Sequence, residues 1–415
     1  MRRRWLGRPM RPSSSLLKIG LVAPALRGVN GDGGIASHFA DLAAGLLELG
    51  HDVRAVIVAE AETRLVLPPE LARLRLIRVP AAMPRWLHHA ARWRWRAHSL
   101  AGLWHRSRRA AAALRSAHAA EPFDAIETTS SGLLARSYLF DRRRAPIVTR
   151  VSTLSQQLVA HAGTQPGWNE RFEDRWEKAM VLRSDVILTH TQQHKAEIVR
   201  QWDLPPDAIR IIPHGIALPP ASQLVNGPPA GRKRILFVGR CETRKGIDVL
   251  LQALPATLRA VPDADCEIIG KDAGDFWQNT WRQRAPAEIQ GRVRFSGPLS
   301  DAAVQVAYRN CDLLVAPSLY ESFGLIYVEA MAWGKAAIGG RAGGVPEVIA
   351  DGVTGQLVTP GDAAELSAAM TGLLTDEPRR LAWGRAGRAR VEAHFSRSAL
   401  AQASAQLYAE MAARR

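Results

Sequence analysis

The sequence predicts an α/β fold with two Rossmann-like, doubly wound domains that face each other across a cleft. Three observations support this prediction. Short aliphatic runs alternate with helical patterns along the chain, which is typical of parallel sheets built from βαβ units. At 415 residues, the chain is longer than the size at which one hydrophobic core usually stops growing. A segment rich in proline and glycine, residues 213–231, separates two series of strands.

The first series contains seven predicted strands. The run KIGLVAP (18–24) leads into a glycine-rich loop at residues 31–34 and then into an amphipathic helix over residues 35–49, which ends at Gly50. These elements predict an N-terminal domain over residues 16–214, after a basic, disordered tail over residues 1–15. The other strands are VRAVIVA (53–59), RLRLIRV (73–79), FDAIE (123–127), PIVTRVS (146–152), DVILTHT (185–191) and IRIIP (209–213).

The second series of strands follows a predicted linker over residues 215–231. Its members are KRILFVG (233–239), CEIIG (266–270), VRFSG (293–297), CDLLVAP (311–317) and AAIGG (336–340). They predict a C-terminal Rossmann-like domain over residues 232–395, followed by a helix over residues 396–415 whose return to the N-terminal domain is left open. Because ligands of open α/β sheets bind at the carboxyl ends of the strands, the two domains are expected to share a binding cleft.

Composition and cysteine content favour a globular, intracellular protein. Hydrophobic residues make up 47% of the chain and charged residues 23%, which leaves no room for large disordered tracts. No apolar run reaches the roughly 18 residues that a membrane span needs. Three cysteines without metal-ligand spacing fit a reducing compartment. We therefore expect a cytoplasmic location, either free or peripheral at the inner face of the membrane.

The positive charge is concentrated in the first half of the chain. The formal net charge is +16, of which +13 belongs to residues 1–210. The segment 85–115 contains eight arginines and no acidic residue, and its apolar residues recur at helical spacing: Trp86, Ala90, Trp93, Ala97, Leu100 and Trp104. This pattern fits either a long helix that packs on its own sheet or an interfacial helix on an anionic membrane surface. Nucleic acid is not expected as a partner, because no recognised nucleic-acid-binding module accompanies the charge.

The segment ESFGLIYVE (321–329) places a glutamate on each side of a predicted helix start. Ser322 is a plausible N-cap. That cap leaves the amides of the next three residues, Phe323, Gly324 and Leu325, as unpaired donors that suit a phosphate. Carboxylates instead accept pairs of sugar hydroxyls. A phosphate between two hydroxyl-bearing rings describes a nucleotide sugar.

Two cations in FVGRCETRKGID (237–248) supply the complementary charge. Arg240 follows a predicted strand, and Lys245 immediately precedes the next helix. Both side chains are expected at the carboxyl end of the sheet, where they could neutralise a diphosphate leaving group. The donor site is therefore predicted in the C-terminal domain.

These residues resemble glycosyltransferase family 4, a family of retaining enzymes with the GT-B fold. The resemblance is strongest over residues 235–360, where the family's order and spacing are followed by FVGRCETRKGID, SLYESFGLIYVEAMAWGKAAIGGRAGGVPEVIADGVTG and LVTPGD. It implies that the first domain lies on the acceptor side and that the second binds the nucleotide sugar.

The resemblance also implies a role for each matching residue. Glu329 would hold the ribose of the donor, and Glu321 would contact hydroxyls of the transferred sugar. Arg240 and Lys245 would grip the diphosphate, so that these two and Glu321 are the predicted catalytic residues. The amides of Phe323, Gly324 and Leu325 would meet phosphate and sugar, and the diphosphate would lie close under the glycine loop of the first domain at Gly33 and Gly34.

The acceptor side departs from the family at one position. Members often carry a histidine after the strand that PIVTRVSTLS resembles, whereas Ser152 stands there in this chain. In the front-face mechanism proposed for similar enzymes, an oxygen of the leaving phosphate takes the acceptor proton, so no protein base is obligatory. The resemblance implies no metal and no other cofactor. His38, His161 and His214 are expected to be packing or surface residues.

The predicted function is retaining transfer of a sugar from a UDP- or GDP-sugar to a saccharide or lipid-linked acceptor, in the synthesis of a cell-surface glycan or glycolipid. Two alternatives stay open at this stage. A nucleotide-sugar epimerase shares the fold and would convert its substrate without an acceptor. A non-catalytic protein that binds saccharides or anionic surfaces would bind its ligand without releasing nucleotide.

Overall fold

The computed structural model describes residues 16–31, 33–59, 65–80, 82, 98–154, 167–224 and 232–414. The predicted basic tail, His161 and residues 225–231 of the predicted linker lie outside these ranges. Within them the chain forms two parallel β-sheets with helices packed against them. The predicted fold class is therefore confirmed.

The first sheet belongs to the N-terminal half of the chain. Its seven described strands are β1 (Lys18–Ala23), β2 (Asp52–Val58), β3 (Arg75–Val79), β4 (Ala125–Thr129), β5 (Ile147–Arg150), β6 (Val186–Thr189) and β7 (Ile209–Ile211). They pair in parallel in the order β3-β2-β1-β4-β5-β6-β7. Central β1 sends Ile19 and Leu21 into one hydrophobic cluster and Val22 into another. A strand covered on both faces is apolar along its whole length, which explains the unbroken run in the sequence.

The second sheet has six described strands. They are β8 (Lys233–Val238), β9 (Ala264–Ile269), β10 (Val293–Gly297), β11 (Leu313–Ala316), β12 (Ala336–Gly340) and β13 (Gly355–Val358), paired in the order β10-β9-β8-β11-β12-β13. Strand β13 is not predicted from the sequence, because its four residues GQLV are too short to show a period. Its pairing with β12 extends the sheet by one edge strand.

Helices connect the strands of both sheets. Those of the first half are α1 (Gly34–Glu48), α2 (His98–Ala120), α3 (Trp168–Val181) and α4 (Gln192–Trp202). Those of the second half are α5 (Ile247–Ala260), α6 (Phe276–Arg284), α7 (Ala287–Gln290), α8 (Asp301–Asn310), α9 (Leu325–Ala332), α10 (Val345–Val348), α11 (Ala363–Thr375), α12 (Glu377–His394) and α13 (Arg397–Ala412). Short 3-10 turns lie at Pro69–Leu71, Ser131–Leu133, Tyr138–Phe140, Pro206–Ala208, Ala221–Gln223, Thr243–Lys245 and Ala273–Asp275.

The last helix, α13, packs against the N-terminal domain. Its apolar residues Leu400, Leu407, Tyr408 and Met411 belong to the same hydrophobic cluster as residues of α1. Arg397, at its first turn, donates to the buried carboxylate of Asp41 at 2.8 Å. The chain therefore passes between the domains twice, once near Ile216 and once near Ser396, and a β-bridge joins these two crossings.

The arginine-rich segment 85–115 is described only from His98 onward, so Trp86, Ala90, Trp93 and Ala97 lie outside the described residues. In α2, Leu100 is buried against the first sheet, whereas Trp104 is 37% exposed and carries the guanidinium of Arg108 at 5.0 Å from its ring centroid. The two described members of the predicted stripe thus meet different environments. No helix in the described part of the chain is long and apolar enough to cross a membrane.

Candidate active site

A cavity of about 520 Å³ lies between the two domains. Its walls are loops and helix starts that follow the carboxyl ends of strands in both sheets, where parallel sheets ordinarily bind their ligands. All ten residues that are predicted from the sequence for the donor and acceptor sites line this cavity: Gly33, Gly34, Ser152, Arg240, Lys245, Glu321, Phe323, Gly324, Leu325 and Glu329. Residues up to 296 positions apart in the chain are therefore brought together at one place.

Lys245 and Glu321 form an ion pair at the wall that belongs to the C-terminal domain. Both side chains are largely buried, which screens the pair from solvent. Arg240 lies in a different environment, because its side chain is 60% exposed and pairs with Glu242 at 2.7 Å. The two predicted cations therefore differ in how strongly they act on a bound anion.

Arg244 is a third cation of this wall that the sequence analysis missed. Its guanidinium is largely buried, donates to the backbone oxygen of Tyr320 at 3.2 Å, and approaches Glu321 Oε2 at 3.9 Å. The signal was its position next to Lys245 in the run TRKG. Arg244 and Lys245 are adjacent and carry the same charge, so the sequence alone did not show that both would face the cavity.

The predicted N-cap at Ser322 is wrong. Helix α9 begins at Leu325, and its N-cap is Gly324, whose φ of 98° lies in the left-handed region. A Cβ at Gly324 would also lie 2.5 Å from the ring of Tyr327. Ser322 instead places its hydroxyl 3.0 Å from that of Thr153 in the other domain. Among the described residues, the amides of Phe323 and Gly324 have no hydrogen-bond partner, so they are available to a ligand.

The glycine loop of the first domain faces the start of α9. Gly33 has a φ of 99°, and a Cβ built there would meet no atom within 4 Å, so the space beside it is open. A Cβ at Gly34 would lie 3.7 Å from Leu325 Cδ1 of the other domain. The backbone of this loop can therefore be approached closely by a bound molecule.

Glu329 is half-buried in the second turn of α9. Tyr308 donates its hydroxyl hydrogen to Glu329 Oε2 at 2.8 Å. Burial raises the pKa of Glu329 to about 7, against the opposing effects of the Tyr308 hydrogen bond and the charge of Arg27. This carboxyl group therefore changes its protonation state near neutral pH.

The wall that belongs to the N-terminal domain contains histidines. His38, His190 and His214 line the cavity together with Arg150, and Ser152 lies beside them with its hydroxyl 3.4 Å from that of Thr129. His38 and His214, which are expected from the sequence to be packing or surface residues, thus stand on the wall of the cavity. Arg150 and His190 were missed, because a single arginine or histidine at the end of a strand carries no distinguishing pattern.

The two domains contact each other directly beside the cavity. Glu347, from the second domain, accepts hydrogen bonds from the amides of Gln192 and Gln193 at 2.8 Å each. Those amides form the first turn of α4 in the first domain, so Glu347 caps a helix across the interface. Thr191 adds a bond to the backbone oxygen of Ser322 at 3.0 Å.

Replacing Glu347 by alanine should loosen this contact. A lost helix cap costs roughly 1 kcal/mol, and here the helix and its cap lie in different domains. We expect the radius of gyration, measured by small-angle X-ray scattering, to increase. The matched control is Asp362→Ala, which removes the cap of α11 inside one domain, where Asp362 accepts from the Glu365 amide at 2.9 Å. The control should lose similar thermal stability at an unchanged radius; an unchanged radius in both variants would contradict the role of Glu347.

Comparison with known proteins places this geometry in a family. Residues 32–218 match the family model described as Glycosyltransferase Family 4, and residues 222–390 match the model described as Glycosyl transferases group 1. The chain is 30% identical over 286 residues to D-inositol 3-phosphate glycosyltransferase of Corynebacterium efficiens, across 65% of this chain and 67% of that protein. It is 37% identical over 192 residues to phosphatidyl-myo-inositol mannosyltransferase of Mycolicibacterium smegmatis, across 45% and 48% of the two chains.

Solved structures share the two-domain architecture. Sucrose-phosphate synthase from Thermosynechococcus elongatus matches with a TM-score of 0.73 at 23% identity, over 96% of this chain and 100% of that chain. HepE from Anabaena, solved in complex with UDP and glucose, matches with a TM-score of 0.70 at 19% identity, over 94% and 99%. The architecture is therefore the GT-B fold that the sequence predicts.

Proposed function

Since the chain belongs to glycosyltransferase family 4 (glycosyl transferases group 1), it is a glycosyltransferase, and we propose that it transfers a hexosyl group from a nucleotide-sugar donor to a saccharide or lipid-linked acceptor with retention of configuration. The observation that carries this proposal is the convergence of all ten predicted residues on one cavity between the domains. HepE, which has the same fold, was solved with UDP and glucose, which supports a donor of this class.

The diphosphate of the donor is assigned to the side of the cavity that carries Arg240, Arg244 and Lys245, which we call the cationic wall. Lys245 and Arg244 already share the carboxylate of Glu321, and Arg240 stands at the solvent side of the same wall. Charges that are fixed before the reaction stabilise the growing negative charge of the leaving diphosphate without reorganisation. We therefore expect transfer to proceed without a bound metal, so that EDTA leaves the rate unchanged.

The two glutamates are assigned to the hydroxyl groups of the donor. Glu321 lies beside Lys245, so it contacts the transferred sugar next to the diphosphate. Glu329 lies eight positions further along the chain, in the second turn of α9, and is assigned to the ribose. The free amides of Phe323 and Gly324 lie between them and suit the phosphate oxygens.

A donor screen tests the proposed function. Thermal shift with UDP, GDP and ADP identifies the nucleotide, and sugars of that nucleotide are then incubated with methyl α-D-mannoside or with D-inositol 3-phosphate, the compound named for the Corynebacterium relative. Nucleotide release that requires an acceptor, with an NMR spectrum of the product showing the donor's anomeric configuration, supports the proposal. Conversion of the donor sugar without an acceptor indicates an epimerase instead.

We also propose that the first domain contacts an anionic membrane surface through residues 85–115. In the described part of this segment, Arg108, Arg109 and Arg115 are exposed, and Trp104 is partly exposed beside them. Tryptophan and arginine together suit anionic head groups. We expect the protein to float with vesicles that contain phosphatidylglycerol at low salt and not with neutral vesicles, and Arg108→Glu/Arg109→Glu to weaken this binding. Equal recovery on both vesicle types would contradict the proposal.

A further inference from the structure

A chain of three side chains links the buried core of the first domain to the cavity. Glu127, on β4, is fully buried, and its Oε1 lies 3.4 Å from Nε2 of His38 on α1. The other ring nitrogen of His38, Nδ1, lies 2.8 Å from Nδ1 of His214. We call Glu127, His38 and His214 the relay. These residues come from three separate parts of the chain, and the described part contains no group of side chains arranged as metal ligands, so the relay is not a metal site.

The protonation states of the relay residues can be assigned one after another, starting from Glu127 at the buried end. Arg150, Tyr408 and His38 hold the pKa of Glu127 well below its usual range despite burial, so this carboxylate is ionised and can only accept hydrogen bonds. Burial and the nearby charge of Arg150 lower the pKa of His38 to about 4, so the imidazole is neutral at pH 7. Its single hydrogen must then be on Nε2, facing Glu127. His38 Nδ1 carries the lone pair, and the hydrogen between the two rings belongs to His214 Nδ1.

The tautomer of His214 follows in turn. Burial, followed by the neighbouring histidines and Arg150, keeps the pKa of His214 well below its ordinary value, so this ring is also neutral. With its hydrogen on Nδ1, it has a lone pair on Nε2. The ring is half-buried and lines the cavity, and within the described ranges His214 has no hydrogen bond besides that to His38.

The surroundings of His214 indicate what this lone pair binds. Its ring packs edge-on against Phe323, with centroids 4.9 Å apart, beside the free amides of that segment. His190 stacks on its other side at 4.6 Å; it is 3% exposed, lines the cavity, and has no partner among the described residues for either ring nitrogen. Buried polar atoms are normally paired, so unpaired nitrogens on a cavity wall indicate a polar ligand. A nitrogen lone pair repels phosphate oxygens and accepts from a hydroxyl group.

We propose that His214 Nε2 accepts the hydrogen bond of the acceptor hydroxyl when the acceptor binds, and that Glu127 and His38 are positioning residues that hold His214 in the required tautomer. As the hydroxyl oxygen bonds to the anomeric carbon and the bond from that carbon to the diphosphate breaks, the hydroxyl proton passes to an oxygen of the departing diphosphate, and His214 stays neutral. This inference rests on the proposed function. It assigns the acceptor site to the wall where Ser152 replaces the histidine common in the family. The relay supplies a different histidine to the same cavity, from the segment that joins the domains.

The relay requires a hydrogen-bond acceptor at the position of Glu127 Oε1. Glu127 Oε1 accepts from Arg150 Nε at 2.8 Å as well as from His38, so a glutamine would keep its amide oxygen at this point and preserve the tautomer of His38. Glu127→Leu removes the acceptor atom altogether. His38 can then carry its hydrogen on Nδ1 and donate to His214, which presents an N–H at Nε2 in place of a lone pair. The hydroxyl would lose its hydrogen-bond acceptor although no side chain in the cavity had changed. A similar change of tautomer is the reason why the buried aspartate of serine proteases cannot be replaced by asparagine.

Two substitutions of His214 test the proposal directly. His214→Phe keeps the ring and removes the lone pair, and we expect kcat/KM for the acceptor to fall by about tenfold or more, as for a lost hydrogen bond that leaves a buried hydroxyl unpaired. His214→Gln restores an acceptor atom near Nε2 and should recover part of that loss. Both variants are assayed with methyl α-D-mannoside and D-inositol 3-phosphate, and the Kd for UDP and GDP is measured by calorimetry and should stay within about twofold of the wild-type value.

Glu127→Leu has a matched control in Tyr408→Phe. Tyr408 donates to Glu127 Oε2 at 2.6 Å, on the oxygen that does not face His38. We expect Glu127→Leu to lower the acceptor kcat/KM by about tenfold and Tyr408→Phe to leave it nearly unchanged, with thermal unfolding confirming that both fold. If Glu127→Leu does not fold, the two His214 variants decide.

The outcomes separate this inference from the proposed function. A wild-type protein that transfers onto neither acceptor overturns the proposed function and this inference with it. Wild-type transfer together with normal acceptor kcat/KM in His214→Phe overturns the inference alone. A loss in His214→Phe that is matched by an equal loss of nucleotide affinity also overturns it, because the residue would then act on the donor.

Discussion

Lys245→Ala should lower kcat for sugar transfer by about 10²–10³, the usual loss when one preorganised charge is removed from an active site. The amino group of Lys245 lies against Glu321 at the buried end of the cationic wall, where a charge is weakly screened by water. It is therefore better placed than the exposed Arg240 to stabilise the departing diphosphate. The measurement is steady-state kinetics with the donor that the screen identifies, and the KM for that donor should change much less than kcat.

Arg240→Ala is the matched control for this prediction. Arg240 has the same charge and lines the same cavity, but it is exposed and paired with Glu242 at 2.7 Å, so solvent screens it. We expect it to lower kcat by less than about tenfold. Because Lys245→Ala also leaves Glu321 buried with only Arg244 nearby, thermal unfolding is measured for both variants. Equal effects on kcat would show that burial of the charge does not decide how much it contributes to kcat.

Glu329→Ala should weaken binding of the donor nucleotide by about ten- to 150-fold, since a hydrogen bond to a charged group contributes about 1.5–3 kcal/mol. The proposed partners are the two ribose hydroxyls. Calorimetry with the ribonucleotide and with its 2′-deoxy analogue tests this directly. The wild type should discriminate between the two, whereas Glu329→Ala should bind both equally weakly. Continued discrimination by the variant would assign the ribose to another residue.

The raised pKa of Glu329 gives the same contact a pH dependence. The ionised carboxylate accepts two hydroxyl hydrogens and the protonated form does not, so nucleotide affinity should increase as the pH rises through about 7. Between pH 6 and pH 8 the gain can reach about tenfold, because one pKa unit corresponds to a factor of ten. Glu329→Gln, which cannot ionise, should show no such gain, while Tyr308→Phe keeps the carboxylate and should retain a pH dependence.

Much of the fold could be predicted because its signals are local. Aliphatic runs buried on both sides, helical periods and the glycines between them all lie within a few residues of each other, so every predicted strand has a counterpart in the structure. Strand β13 was missed because four residues carry too little pattern. The cap at Ser322 was wrong because a contact with Thr153, 169 positions away, and the left-handed backbone of Gly324 decide where α9 begins.

The residues of the proposed donor site could be predicted from the sequence for the same reason. Its residues stand in two short segments, FVGRCETRKGID and ESFGLIYVE, whose charges and glycines can be recognised where they occur. Their convergence follows from a general property of parallel sheets, whose carboxyl ends lie at one edge. What the sequence could not show is which charge is buried, and hence that Arg244 joins Lys245 around Glu321.

By itself, then, the sequence determined the family, the fold class and most side chains of the proposed donor site, because each depends on residues that are neighbours along the chain. Only the tertiary structure decided the proposed acceptor side. His38 meets Glu127 across 89 positions and His214 across 176, and no single segment contains two members of the relay. The role of such histidines depends on which atoms face each other, and that is set by the packing of one domain's helix and strand against the segment that joins both domains.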